Sequence, residues 1–215
     1  MNNNLPNWLE RHINIFDNEQ IHHAFIISGS MGIGKSLLIE NLAEKILNNK
    51  ISLENNPDFH NLKILAEKKL IGINQIHELR DKLYESSFLG KNKVAVINEI
   101  EKISIDGLNA ILKILEEPPK NTYFLLSTNF LNQIPLTIQS RCFDIRISTP
   151  EITQSLEWLS DYQTKDALKA LEITNNLPIK AKHFLDNKLL DARDNFVKDV
   201  SGIIKEGKDI ISISE

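Results

Sequence analysis

Residues 29 to 36 read Gly29-Ser30-Met31-Gly32-Ile33-Gly34-Lys35-Ser36, the full G-x-x-x-x-G-K-S pattern of a phosphate-binding loop. A match of this kind carries weight only in the right setting. Ahead of it runs Ala24-Phe25-Ile26-Ile27, an apolar stretch of strand length. Behind it Leu37, Leu38, Leu42, Ala43 and Ile46 recur at helical spacing. A strand, a glycine loop and a helix in that order place backbone N–H groups and the positive end of a helix against an anion. Lys35 is the residue to reach the outer phosphates, and the Ser36 hydroxyl the one to ligate Mg²⁺. The three glycines, Gly29, Gly32 and Gly34, let the backbone curl around the phosphates. The pattern predicts binding of ATP or ADP with Mg²⁺.

The rest of the first 148 residues alternates short apolar runs with amphipathic segments. Leu62 to Leu65 reads as a second strand and Ile73 to Glu85 as a helix. Lys93 to Ile97 reads as a buried strand, and Ile105 to Glu116 as a helix stopped by Pro118-Pro119. Tyr123 to Ser127 and Phe143 to Ile147 complete the strands. Alternation of this sort predicts an α/β domain with a mostly parallel sheet covered on both faces. Beyond Thr149-Pro150 only helical patterns remain: Glu151 to Leu159, Lys165 to Ile173, Ile179 to Leu185 and Asp191 to Lys205. The predicted division is an α/β domain over 1–148, a helical lid over 149–185 and the start of a further helical segment over 186–215. The closing Ile210-Ile211-Ser212-Ile213 is apolar enough to be read as continuing into something beyond it.

Net charge is −4, which argues against a protein that coats nucleic acid by charge alone. One cysteine, Cys142, excludes an internal disulfide framework and a four-cysteine zinc site. The polar Met1 to Pro6 has no signal-peptide core, and no apolar run approaches the ~20 residues that span a bilayer. A cytoplasmic protein without membrane contact is expected.

Further candidate chemistry lies at strand ends. Val94 to Ile97 leads into Asn98-Glu99, where many P-loop ATPases carry an Asp-Glu pair that orients Mg²⁺ and polarises water. Asn98 supplies an amide instead of a carboxylate, so Mg²⁺ is expected to be held less tightly, and Glu99 keeps the place of a base. Thr128 and Asn129, at the end of a neighbouring strand, are candidates to touch a γ-phosphate. Arg141 is either a surface cation or an arginine finger offered to another subunit's nucleotide. His22-His23 in an extended segment would point to opposite faces and does not read as a metal pair; Trp8 and Trp158 read as packing at domain edges.

In combination, Gly29 to Ser36, Asn56-Pro57-Asp58, Lys93 to Glu99, Leu115-Glu116-Glu117-Pro118-Pro119 and Ser140-Arg141-Cys142 resemble the bacterial clamp-loader branch of the AAA+ family, and within it the delta-prime group of DNA polymerase III. The likeness runs strongly from Trp8 to Ile147 and weakly to Leu185. It implies a five-stranded AAA+ core, a three-helix lid and a helical collar, of which Asp186 to Glu215 could form only a truncated beginning. It further implies a stator-like subunit of the clamp loader. Its partners would be gamma/tau and delta, with the sliding clamp and primed DNA engaged through the complex. Arg141 would be the trans-acting finger, and Thr128 and Asn129 would fall in the sensor-1 region. Three departures stand out. Leu47 to Leu62 lacks the usual zinc-binding cysteines, so no zinc is expected. Pro178 or Ile179 stands where a sensor-2 arginine belongs, with Lys180 a rough substitute, and Asn98 replaces the acid. The last two point to nucleotide binding with weak or no hydrolysis. The competing reading from the same residues is an autonomous AAA+ ATPase with Glu99 as catalytic base; a small-molecule kinase on the same loop is a third, which lacks a basic lid.

Overall fold

A computed structural model describes residues 5–14 and 22–206, with side chains described to residue 202. The chain divides into two compact units, residues 1–148 and 149–215. In the first, the elements in chain order are α1 (Asn7–Ile13), β1 (Ala24–Ser28), α2 (Lys35–Leu47), β2 (Phe59–Leu62), α3 (Ile73–Tyr84), β3 (Lys93–Ile97), α4 (Ile105–Glu116), β4 (Thr122–Thr128), the single turn α5 (Leu136–Gln139) and β5 (Phe143–Arg146). The second holds α6 (Ile152–Trp158), α7 (Thr164–Ile173), α8 (Pro178–Asp186) and α9 (Leu189–Glu206).

The five strands form one sheet in the order β2-β3-β4-β1-β5, all pairs parallel. Every residue of β1 and β3 is buried, as continuous apolar runs between two helical layers must be. Successive side chains alternate faces. Ala24, Ile26, Ala95, Ile97, Phe124 and Leu126 join α3 and α4 in one core cluster, and α2 packs on β3 and β4 with α1 beside it. Local signals set the helix ends. Ser104 caps α4 by accepting from the Gly107 N–H at 3.2 Å. Asn48, at φ 44°, closes α2 in the left-handed region.

Two elements differ from the sequence reading. β2 begins three residues earlier than the run Leu62 to Leu65, because Asp58 fixes the chain just ahead of it. Asp58 is buried and accepts from the Ser87 hydroxyl (2.8 Å) and the Phe88 and Leu89 N–H groups (2.9 and 3.0 Å). β2 is an edge strand, so His60 and Asn61 are tolerated in it and it lacks the apolar signature of β3. Helix α1, with only Trp8 and Leu9 buried, is too short for periodicity to reveal.

In the second unit Leu159, Ala167, Ala170, Leu171, Ala181 and Leu190 make a small core, against which Trp158 and Phe184 pack. Lys169 pairs with Asp194, tying α7 to α9, and Lys182 lies over the Tyr162 ring and donates to its hydroxyl at 2.7 Å. Beyond Leu190, α9 keeps Phe196 and Val197 exposed. Lys180 is an exposed residue of the first turn of α8. The apolar end at 210–215 lies outside the described residues.

Candidate nucleotide site and the arginine at the opposite strand ends

The glycine loop leaves the carboxyl end of β1 and enters α2 at Lys35. Gly34 is the N-cap, at φ 112° and ψ 18°, a conformation that strains any residue with a Cβ. At Gly29 a Cβ would stand 2.9 Å from the Ile147 carbonyl oxygen. Helix α2 has no side-chain cap and no acidic residue in its first turn, so its leading N–H groups are open to an anion. Ser36 is exposed on that turn, placed to ligate a metal carried in by phosphates. Among the described residues no cluster of three or more His, Cys, Asp or Glu could hold a metal by itself. From behind, the buried Trp8 indole N–H donates to the Ile33 carbonyl at 3.0 Å, so α1 braces the loop instead of merely packing at an edge.

Lys35 is only 9% exposed. Its Nζ donates to Gly29 O (2.8 Å), Ser30 O (3.0 Å) and Asn129 Oδ1 (2.8 Å). Burial lowers its pKa, and the charges of Glu101 and then Glu99 push the other way. Arriving phosphate must take over from these acceptors, with a charge far larger than a carbonyl dipole.

The neighbouring strand ends form one network. Ser127 Oγ accepts from the Glu99 N–H (3.2 Å) and donates to Asn98 Oδ1 (3.2 Å), while Asn98 Nδ2 donates to Asn61 Oδ1 at 3.4 Å. Glu99 sits at φ 53° and ψ 60°, and its carboxylate pairs with Lys102 at 2.8 Å. Glu101 Oε1 accepts from both the N–H and the Nδ2 of Asn129, at 3.0 and 3.2 Å. Its Oε2 is buried without a hydrogen bond.

The structure thus brings Lys35, Asn129, Glu99 and Glu101 together and leaves Thr128 out. Thr128 is fully buried, and its Oγ1 accepts from the Phe130 N–H at 3.0 Å. Sequence reasoning missed Glu101 and Lys102, read Trp8 as edge packing alone, and gave Ser127 only as a strand residue. The first two lie on a 3-10 turn, Ile100–Lys102, whose geometry no hydrophobic period announces.

Arg141 occupies the other end of the strands. Parallel register pairs Phe25 with Phe143 and Ser28 with Arg146. Arg141 is therefore about level with His23, and the loop begins roughly 20 Å further along the sheet at ~3.3 Å per residue. Its side chain is 35% exposed and paired with Glu116 at 2.7 Å. Nη1 donates to Thr137 O (2.7 Å) and to Ser140 Oγ (3.3 Å). His23 meets the Leu115 carbonyl at 3.0 Å at the same end.

The sequence profile of the family described as DNA polymerase III, delta subunit matches residues 5–151. The chain belongs to that family. Its relatives there include the DNA polymerase III subunit delta' of Buchnera aphidicola from Schizaphis graminum, 31% identical over 94% of this chain and 66% of the relative. The delta' subunit of Haemophilus influenzae is 30% identical over 85% of this chain and 61% of its own length. The chain therefore spans somewhat under two thirds of the curated relatives it matches. Among solved structures, a DNA polymerase III gamma subunit-related protein of Thermotoga maritima superposes with a TM-score of 0.55 at 23% identity, covering 77% of this chain and 58% of that one. The fold of this family member is thus the AAA+ type, with its glycine loop at the carboxyl ends of the strands. No described helix is long and apolar enough to cross a membrane.

Proposed function

We propose that the chain is a stator-like clamp-loader subunit acting with gamma/tau and delta subunits to place a sliding clamp on primed DNA. It would bind ATP or ADP with Mg²⁺ at Gly29, Gly32, Gly34, Lys35 and Ser36, hydrolyse it weakly or not at all, and work in the cytoplasm. Arg141 would complete a neighbouring subunit's ATP site. The observation that carries this reading is the separation of the two cations. Lys35 and Arg141 stand at opposite ends of the same parallel strands, so Arg141 cannot serve the phosphates of its own loop. An arginine there is useful to a nucleotide only across a subunit boundary, where guanidinium offers planar contact to phosphate.

The residues of the loop fit a triphosphate: an uncapped helix start, a glycine-only N-cap and a buried lysine. The same residues disfavour turnover. Position 98 has no carboxylate for Mg²⁺, and the Glu99 carboxylate is committed to Lys102. The reading is tested by assembling the chain with gamma/tau and delta and measuring ATP turnover in the presence of clamp and primed DNA. Arg141→Ala should lower the stimulated rate severalfold, since one finger of this class contributes on the order of 10³ at its own site. Stimulated turnover that is indifferent to Arg141→Ala defeats the assignment.

A further inference from the structure

The carboxylate that meets Arg141 is out of place by the usual rules. Glu116 is the last residue of α4, where the partial negative charge of the helix end disfavours an acid. It is 44% exposed, and its partner 35%, so the pair adds little to the stability of the fold. The carbonyls at that helix end have other partners: His23 meets Leu115 O, and the Tyr84 hydroxyl donates to Glu117 O at 3.2 Å. Glu116 is therefore not needed to close the helix.

Its effect is on the arginine. Nη2 is fixed by Glu116 Oε1, and Nη1 by the Thr137 carbonyl and Ser140 hydroxyl. Three contacts, from α4, from α5 and from the Ser140 that follows it, hold the plane of the guanidinium. Among the described residues nothing accepts from Nε or from the second Nη2 hydrogen. One edge is gripped by its own subunit, and hydrogens on the other remain for an outside anion.

We infer that Glu116 is a positioning residue for Arg141, freezing the guanidinium at the subunit surface in the orientation that meets a neighbour's phosphates. This rests on the arginine-finger reading above. Without Glu116 the side chain regains its rotamers and must surrender them each time the neighbour fires.

The test is a double-mutant cycle in the assembled loader, reading ATP turnover with clamp and primed DNA. Glu116→Ala should lower kcat by between about twofold and tenfold, the effect of freeing one rotamer-rich side chain, with the KM for ATP little changed. Glu116→Gln, which keeps an acceptor oxygen, should recover part of that loss. In the Arg141→Ala background Glu116→Ala should do nothing further. If Arg141→Ala slows turnover but Glu116→Ala does not, or the two losses add, or Glu116→Ala speeds turnover, the positioning role is wrong and the finger stands. If Arg141→Ala itself has no effect, both fall.

Discussion

Lys35 and Arg141 are both cations that hydrogen-bond within their own chain, yet the two regions around them are built differently. Lys35 is buried, meets three neutral acceptors and has two carboxylates nearby that it does not directly pair with. Arg141 is one-third exposed and rests on one carboxylate and two neutral oxygens at a sheet margin. A charge surrounded by dipoles is a receptor for an anion that arrives and stays. A partly solvated guanidinium with N–H groups to spare can meet an outside anion and release it at small cost, because contacts between exposed charges are worth only about 0–1 kcal/mol. The contrast suits the roles proposed above, resident binding at one end of the strands and intermittent contact at the other.

The sharpest way to break it is Lys35→Ala. Losing charge-assisted contacts worth ~1.5–3 kcal/mol each should weaken nucleotide affinity about 100-fold or more, measured by calorimetric titration. A loss of only twofold would mean that the helix end alone holds the phosphates. Asn98→Asp restores a carboxylate beside the metal position. It should tighten binding in Mg²⁺ by about tenfold, on the order of 1.4 kcal/mol, and leave Mg²⁺-free binding unchanged or weaker. Asn129→Ala removes the one side-chain acceptor that Lys35 has among the described residues and one link to Glu101; with the lysine less firmly aimed into the loop, a loss of about threefold to tenfold in affinity is expected. Arg141→Ala in the isolated chain should leave nucleotide affinity unaltered and cost at most ~1 kcal/mol in denaturant unfolding. An effect on nucleotide affinity there would collapse the distinction between the two ends.

The smallest effect concerns Cys142, directly beside Arg141. Burial pushes its thiol from an ordinary 9.0 up to about 12. The folded chain therefore keeps that proton where the unfolded chain releases it. Stability from this source is present below pH 9 and is lost as pH climbs from about 9 towards 12. Alkylation at pH 8 should be slow in the folded chain and fast after unfolding, a difference that marks how abruptly the solvated margin gives way to core.

How much of this could be read beforehand depended on which force shaped each element. β1, β3 and β4 are buried on both faces, so Phe25 to Ile27 and Val94 to Ile97 announce themselves as unbroken apolar runs. β2 did not, because an edge strand held by the buried Asp58 needs no such run and the apolar Leu62 to Leu65 mostly follows it. Gly34 and Lys35 were legible because phosphate chemistry fixes their spacing. Asn129 was singled out with Thr128, and only packing separates them: the Thr128 hydroxyl closes its own turn while Asn129 faces the lysine. Glu101 was invisible because a 3-10 turn after β3, and not a repeat in sequence, brings it to Asn129. Glu116 was visible as part of a motif, but its contact with Arg141 spans 25 positions and belongs to tertiary structure.

On the function proposed above, residues 29–36 hold a nucleotide which this chain does not consume. The decisive experiment is titration of the purified chain with MgATP, with phosphate release followed in the same sample. One saturable site is expected, weakened about 100-fold or more by Lys35→Ala, with release too slow to matter and indifferent to Glu99→Gln. Absence of binding, or brisk release eliminated by Glu99→Gln, would contradict it.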